Sequence, residues 1–555
     1  MRPTLGGMTD PFARHPANQA SVLAGHNAVL TDRALLGAVS AYAGDEADGL
    51  VTSLTPLGWV AGSAEAREHG MLANAYPPVL KTLDRFGDRI DEVEFHPSWH
   101  WCMGTSLEHG MGATAWTRDE PLPHVRRAAG YIAWAAIEPG HICPMTMTYA
   151  AVPALAADPA LAQRLTAGLA STEYDFGLRP LADKRGLLAG MGMTEKQGGS
   201  DVRTNVTVAT AKEDGSYSIR GHKWFTSAPM NDLFLILAQA PGGLTCFVLP
   251  RICPDGSRNQ VAIMRLKDKL GNKSNASSEL EFHDASAWRL GEEGAGVRTI
   301  IEMVAATRLD CVLGSAALMR RCVAEATWHA SQRSAFGGLL IDKPAMSNVL
   351  ADMAIESEAA THVGLRLALA VERPDDEHER ALRRMALPLA KFWVCKRASF
   401  LAAEALEVFG GNGYAEESGM PMLFRESPLN SIWEGSGNVN ALDVLRVLQK
   451  VPEGVEAWHT EVSLAGNSRL TDAVVEVQKV LANLSDAASA EYSARWITAR
   501  MAVLLQASLL IRHSPSYVAD AFVTSRVLGN HAGVFGTLPA GLDTDAIVRR
   551  ALPVV

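Results

Sequence analysis

From Thr31 the chain repeats apolar positions at helical spacing, with Leu35, Leu36 and Val39 on one face and Thr31 placed to cap its start. That periodicity returns up to residue 185, broken by Pro and Gly clusters. It predicts an N-terminal helical domain over 31–185, preceded by a polar, turn-rich extended arm over 1–30. The pattern then changes to period two. Val206 and Val208 alternate with polar residues, Glu213-Asp214-Gly215 supplies a hairpin turn, and Tyr217 and Ile219 alternate back. Short apolar runs at Leu233–Leu237 and Cys246–Leu249, and the alternation around Leu280 and Phe282, complete a compact antiparallel β domain over 186–295. From 296 to 450 the sequence is Ala- and Leu-rich and helical again, with one bundle helix of about thirty residues from Ile300 to Arg333. Val474–Leu484 and Trp496–Ile511 predict a further small helical domain over 451–555. Helix, sheet, helix without βαβ alternation argues against a Rossmann arrangement and predicts an α+β multidomain chain.

Bulk properties narrow the class. The chain has 555 residues, 48% hydrophobic and 20% charged, which suits a soluble protein of several domains. Its net charge of −10 gives no global field attracting nucleic acid. Seven scattered cysteines without CxxC spacing read as reduced thiols of a cytoplasmic protein rather than disulfides or zinc ligands. The N-terminus lacks the apolar core of a signal peptide, and the eleven-residue run Met501–Ile511 is too short to span a bilayer. His96 and His100 are four apart, as on one metal-binding helix face. No third ligand accompanies them, so packing or surface histidines are the reading and no metal is expected.

The stretch Phe409–Val439, FGGNGYAEESGMPMLFRESPLNSIWEGSGNV, carries the most chemistry. It opens on Gly410, Gly411 and Gly413 and closes on a lone carboxylate, Glu434, between Trp433 and Gly435. A carboxylate beside an indole is a candidate for desolvation and a raised pKa, as a general base near neutral pH requires. Taken alone, the same residues also suit a glycine-rich turn with a surface acid. The segment resembles the signature of the acyl-CoA dehydrogenase superfamily, in which an FGGxGY turn precedes the catalytic-base motif. The wording WEGSGNV is most similar to its AidB-type branch, linked to the adaptive response to alkylation.

Further motifs follow the family's order. Met191-Gly-Met-Thr-Glu-Lys-Gln-Gly-Gly-Ser-Asp201 resembles its flavin segment. The resemblance implies that Met193 and Thr194 meet the isoalloxazine of FAD, and Gly199 and Ser200 its phosphates. Lys223-Trp-Phe-Thr-Ser227 resembles the flavin-facing strand, with Trp224 along the ring and Thr226 on the N5 edge. Arg333-Ser-Ala-Phe-Gly337 resembles RxxFG, whose arginine reaches the FAD of a neighbouring subunit. Arg333, Phe336 and Gly411 are thereby implied in a cross-subunit contact and the chain in a homotetramer. Two departures weaken that contact: Pro344 and Glu407 stand where glutamines are usual. Ser436 and Asn438 match further FAD-touching positions.

The resemblance implies that Glu434 removes the α-proton of an acyl-CoA thioester while the β-hydrogen leaves as hydride to the flavin. Trp433, bulkier than the usual tyrosine, should narrow the pocket toward short or branched acyl groups, isovaleryl-CoA-like. Electrons would pass to an electron-transfer flavoprotein-like acceptor or to oxygen. The alternative is a DNA-associated flavoprotein protecting against alkylation, with vestigial dehydrogenase activity. Residues 451–555 hold eight Lys and Arg against ten Asp and Glu, a net of −2, and charge does not support DNA binding there.

Overall fold

The computed structural model describes residues 18–554. The N-terminal part is formed by α1 (Arg33–Ala43), α2 (Ala47–Ala61), α3 (Ala64–Ala75), α4 (Pro97–Glu108), α5 (Pro123–Trp134), α6 (Pro139–Leu155) and α7 (Pro159–Leu169). It also contains a hairpin absent from the helical expectation, β1 (Val79–Leu83) and β2 (Arg89–Glu94). An Asx turn makes it: Asp84 Oδ1 accepts from the Phe86 and Asp88 N–H groups at 2.8 and 2.9 Å.

The start of the chain differs from the sequence reading in two ways. Residues 1–17 lie outside the described residues, and residues 18–30 are not an extended arm, since Leu23 and Val29 are buried. Thr31 does not cap α1. Its hydroxyl donates to the Asn27 carbonyl, and the next residue, Asp32, accepts from Leu35 N–H at 3.0 Å.

The central sheet comprises β3 (Ala189–Gly192), β4 (Val208–Ala211), β5 (Tyr217–Ser227), β6 (Leu233–Ala240), β7 (Gly243–Pro250), β8 (Val261–Leu266) and β9 (Ser277–Leu290). The predicted hairpin joins β4 to β5. The sheet is mixed rather than wholly antiparallel, because β6 pairs parallel with both β3 and β4. β6 is apolar from Leu233 to Ala238 because both faces of that stretch are covered. Phe234, Ile236 and Ala238 enter the core under α4, while Leu233, Leu235 and Leu237 enter the core under α6 and α7.

The bundle follows: α8 (Gly296–Gln332), a short hairpin β10 (Ser334–Ala335) and β11 (Gly338–Leu339), then α9 (Pro344–Glu372) and α10 (Glu377–Val408). Gly296 starts α8 against β7 so closely that a Cβ there would lie 2.6 Å from the Thr245 backbone. Only glycine allows that approach, which fixes bundle against sheet. After α11 (Met420–Glu426) and α12 (Gly437–Lys450) come α13 (Pro452–Ser463), α14 (Ser468–Ala482), α15 (Ala487–His513), α16 (Ser516–Phe522) and α17 (Thr544–Ala551).

These last helices form no separate domain in the sense of a core of their own. Trp458, Ile497, Leu504 and Phe522 belong to the same hydrophobic core as α1, α5 and the bundle. Buried ions tie the layers: Arg366 of α9 pairs with Glu379 of α10 at 2.7 Å and Glu461 of α13 at 2.9 Å. Arg550 of α17 pairs with Glu358 of α9 at 3.1 Å and donates to the Arg33 carbonyl of α1. By length and composition α15 could cross a membrane, yet 72% of its apolar window is buried inside the protein.

His362 of α9 is completely buried, against His513, Tyr42 and Ser514. Burial, reinforced by His513, Arg550 and Arg512, pushes its pKa down to about 3. Its folded pKa lies below the unfolded value near 6.5, so its stabilising contribution is complete above 6.5 and lost as pH falls. His362→Gln should therefore flatten the stability profile between pH 6.5 and 5 by up to about 1.4 kcal/mol per pH unit. A stability difference between the two proteins that stays constant from pH 6.5 to 5 would contradict this.

Candidate active site

α8 and the turn before α12 build the centre of a cavity of about 550 Å³ between sheet and bundle. At the turn, Glu434 has φ +57° and Gly435 φ +101°, two successive left-handed residues. For glutamate that conformation costs about 1 kcal/mol, so the surroundings must impose it. They do so through the carbonyls. Lys391 of α10, buried, donates to the Trp433 and Gly435 carbonyls at 2.8 and 2.7 Å. Arg308 Nε of α8 donates to the Glu434 carbonyl at 2.9 Å. Arg308 is itself held by Asp443 of α12 at 3.0 Å.

The Glu434 carboxylate enters the cavity and accepts one hydrogen bond, from Thr307 Oγ1 at 2.7 Å. Burial raises its pKa above the ordinary value, while Thr307, Lys391 and Arg308 pull it back. The Glu434 backbone N–H has no partner among the described residues. Thr307→Val removes a donor that favours the carboxylate, so the Glu434 pKa should rise further. The acidic limb of any pH profile governed by this group should then move to higher pH. An unmoved limb would show that Thr307 does not act on it.

Beside Glu434, Trp433 lines the cavity, its indole N–H donating to Asn430 Oδ1 at 2.9 Å. The floor is a satisfied polar network. Arg127 of α5 meets Asp310 of α8 through two bonds of 2.8 and 2.7 Å, and Thr146 of α6 donates to the same carboxylate at 2.8 Å. Tyr131 OH lies 2.9 Å from Thr146.

The cavity brings together seven of the sequence-predicted residues: Met193, Thr194, Gly199, Ser200, Trp433, Glu434 and Ser436. Trp224 and Thr226 stand on β5 but do not line it. Trp224 instead lies under Lys267 Nζ, 3.8 Å from its ring centre, while the neighbouring Phe225 faces the cavity. Thr226 is buried with its hydroxyl unpaired. Asn438 is exposed and accepts from Arg495 at 3.5 Å.

Arg333, Phe336 and Gly411 are not brought to Glu434. Arg333 follows the end of α8, roughly 39 Å along that helix from Thr307 at 1.5 Å per residue, and donates to the Asn18 carbonyl. Phe336 is 97% exposed. The His329 ring stacks on Phe409 at 4.3 Å, which sets the Gly410–Tyr414 turn against this same end of α8. Phe336 and Gly411 are exposed and Arg333 is half-buried, all three at or beside this end of α8 and away from Glu434. His96 caps α4 and His100 bonds Tyr174. Among the described residues no cluster of three His, Cys, Asp or Glu could hold a metal.

Sequence reasoning missed Thr307, Arg308 and Lys391, which sit on helices distant from the motif. The available signal for Lys391 was a lone cation in the apolar run Leu387–Val394.

The residues flanking the cavity fit a flavin. Hydroxyls of Thr194, Ser200 and Ser436, the apolar Met191 and Met193, and the orphaned Thr226 hydroxyl on the strand behind offer donors and ring-packing surface. Residues 18–176 match the AidB N-terminal domain family, 190–285 the acyl-CoA dehydrogenase middle domain, and 294–449 the acyl-CoA dehydrogenase C-terminal domain. The chain is 47% identical over 511 residues to the "Putative acyl-CoA dehydrogenase AidB" of Escherichia coli (strain K12), covering 91% of this chain and 93% of that one. It is 31% identical to acyl-CoA dehydrogenase family member 11 of Caenorhabditis elegans, over 82% of this chain and 79% of that one. The crystal structure of Caenorhabditis elegans ACDH-11 in complex with C11-CoA superposes with a TM-score of 0.85 at 25% identity, covering 99% and 95% of the two chains. An acyl-CoA dehydrogenase from Bacillus anthracis complexed with FAD shares the fold, with a TM-score of 0.61 at 17% identity over 82% and 79%. Three domain matches in order, and near full-length similarity to AidB, show that the chain belongs to the acyl-CoA dehydrogenase family, in its AidB branch.

Proposed function

We propose that this protein dehydrogenates a short or branched acyl-CoA thioester between its α and β carbons, with Glu434 as the base. Members of the family are FAD-dependent oxidoreductases, and FAD, when bound, accepts the two electrons and the β-hydrogen. Glu434 takes the α-proton: its carboxylate enters the cavity, and burial raises its pKa toward the working pH. One observation carries the reading. Glu434 lines the cavity and its backbone N–H has no partner among the described residues, so the residue that removes the proton could also polarise the thioester carbonyl. Thr194, Ser200 and Ser436 would hold the cofactor from within the cavity, joined by Met193 and Gly199. Thr226 would reach it from the strand behind, with Trp224 and Asn438 outside the cavity.

The acyl size limit rests on Trp433, whose indole is fixed by Asn430. Subunit association, proposed as a homotetramer, would cover the exposed Phe336 and Gly411 and the half-buried Arg333, and an electron-transfer flavoprotein-like partner would reoxidise the flavin. Seven unpaired cysteines suit the reducing cytoplasm, where we place the protein. DNA association gains no support from the C-terminal cations. Arg500, Arg512, Arg526, Arg549 and Arg550 are ion-paired with carboxylates of the protein itself.

Anaerobic mixing of the FAD-bound protein with isovaleryl-CoA and a panel of straight acyl-CoAs tests the reading. Rapid bleaching of the flavin by short and branched thioesters is the expected result. Fastest bleaching by a long straight chain would overturn the size limit, and no bleaching by any thioester would overturn the activity.

A further inference from the structure

The loop between β8 and β9 carries a cation into the cavity that the proton abstraction does not use. Lys269 lines the cavity, and its Nζ donates to the Asn275 carbonyl and to Ser277 Oγ, the latter at 3.0 Å. An ammonium has three donors, so one remains. No carboxylate of the described residues lies within 4.0 Å of it, whereas the neighbouring Lys273 pairs outward with Asp268 at 3.3 Å.

Polar groups gather around Lys269. Glu426 of α11 is 5% exposed, lines the cavity, and accepts from Asn272 Nδ2 at 2.9 Å. Asn275 is buried, with its Oδ1 unpaired. Desolvation pushes the Lys269 pKa down to about 8 and the Glu426 pKa up to about 7. Near neutral pH the lysine still carries most of its charge and the glutamate only part. Lys269, Cys143 and Glu434 all line this one cavity. The cation therefore faces the same space as the base. Lys269 is half-buried, and a cation drawn partly out of water gains from an anionic partner.

We propose that Lys269, with Glu426 and Asn275 beside it, forms a subsite for an anionic group borne by the ligand, and that this group is a carboxylate at the end of a short acyl chain. The inference rests on the acyl-thioester reading and narrows it to dicarboxylic acyl groups. The same charge could instead be met by a phosphate of the CoA moiety, so both sources must be separated.

Dissociation constants measured from the flavin absorbance change, in the full-length FAD-bound Glu434→Gln protein, separate binding from turnover. Three probes suffice: glutaryl-CoA and pentanoyl-CoA, which differ only in the terminal carboxylate, and S-pentanoyl-pantetheine, which lacks the phosphates. Glutaryl-CoA is expected to bind at least about tenfold more tightly than pentanoyl-CoA. Adding Lys269→Met should erase that ratio and leave pentanoyl-CoA affinity unchanged, while Lys269→Arg, keeping the charge and a folded loop, should retain part of it. Equal affinities for the two CoA thioesters with Lys269 present would overturn the inference. So would a Lys269→Met loss shared equally by both CoA thioesters but absent with the pantetheine thioester, which would assign the cation to phosphate. Failure of every thioester to bind would overturn the dehydrogenase reading together with this one. Binding without a carboxylate preference would leave the dehydrogenase reading standing.

Discussion

Glu434→Gln should slow flavin reduction by an acyl thioester by about 10²–10⁴-fold or more, the range that a positioned general base contributes. The substitution is nearly isosteric. The amide can still meet Thr307, and the backbone clamps from Lys391 and Arg308 act on carbonyls that the side chain does not touch. Flavin content and thermal stability should therefore stay close to those of the parent, so that the loss reports proton abstraction alone. In the parent, the rate should climb with pH through a pKa above the ordinary glutamate value, because burial raises that of Glu434. In the variant that limb should vanish. A variant reducing its flavin within a few-fold of the parent rate would remove Glu434 from the mechanism.

The second large effect is structural. Arg127→Met should destabilise the protein by about 3–5 kcal/mol, the usual consequence of stranding one member of a buried ion pair. Arg127 and Asp310 are both buried, and Arg127 also donates to the Met111 and Gly112 carbonyls and lies 3.7 Å over the Tyr149 ring. Removing the arginine leaves the Asp310 carboxylate with Thr146 as its remaining close donor, in the floor of the cavity. Removing both charges, as Arg127→Met with Asp310→Leu, should recover part of the loss, because neither charge then lacks a partner. Urea unfolding of the three proteins distinguishes these cases. A single variant within 1 kcal/mol of the parent would show that water or rearrangement compensates the carboxylate.

Much of this architecture was legible in the sequence because local physics and motif wording agreed. The Glu213–Gly215 turn produced the hairpin its residues demanded, and the long helix from Ile300 to Arg333 exists as α8 with a slightly earlier start. The hairpin at Val79–Glu94 was readable too, since Asp84 and Gly87-Asp88 supply turn chemistry between two alternating runs. Its partly polar strands were absorbed into a helical expectation. In the site, Glu434 and the segment from Met193 to Ser200 could be picked out because their wording resembles the family's motifs, which glycines and hydroxyls alone would have left open as ordinary turns. Lys391, Arg308, Thr307 and Lys269 could not be assigned, because each sits in an otherwise ordinary segment and acquires its role only when distant elements meet. The same reason hid the shared core of the last helices. Amphipathic periodicity reveals that α14 and α15 have a buried face, and does not say which neighbour buries it.

The contact between α17 and α1 also sets a clock. Arg550 reaches the Arg33 carbonyl across 517 residues of sequence, and at ribosomal speeds the later helix emerges roughly 25–100 s after the earlier one. During that interval the N-terminal helices have left the ribosome while the elements that complete their core, Ile547 and Val548 among them, do not yet exist. The part of α1 that α17 covers therefore stays open until that late helix is made, while α2, α5 and α9 can pack on the rest earlier. A helix near the start of the described residues thus gains its last neighbour only when the final described helix appears.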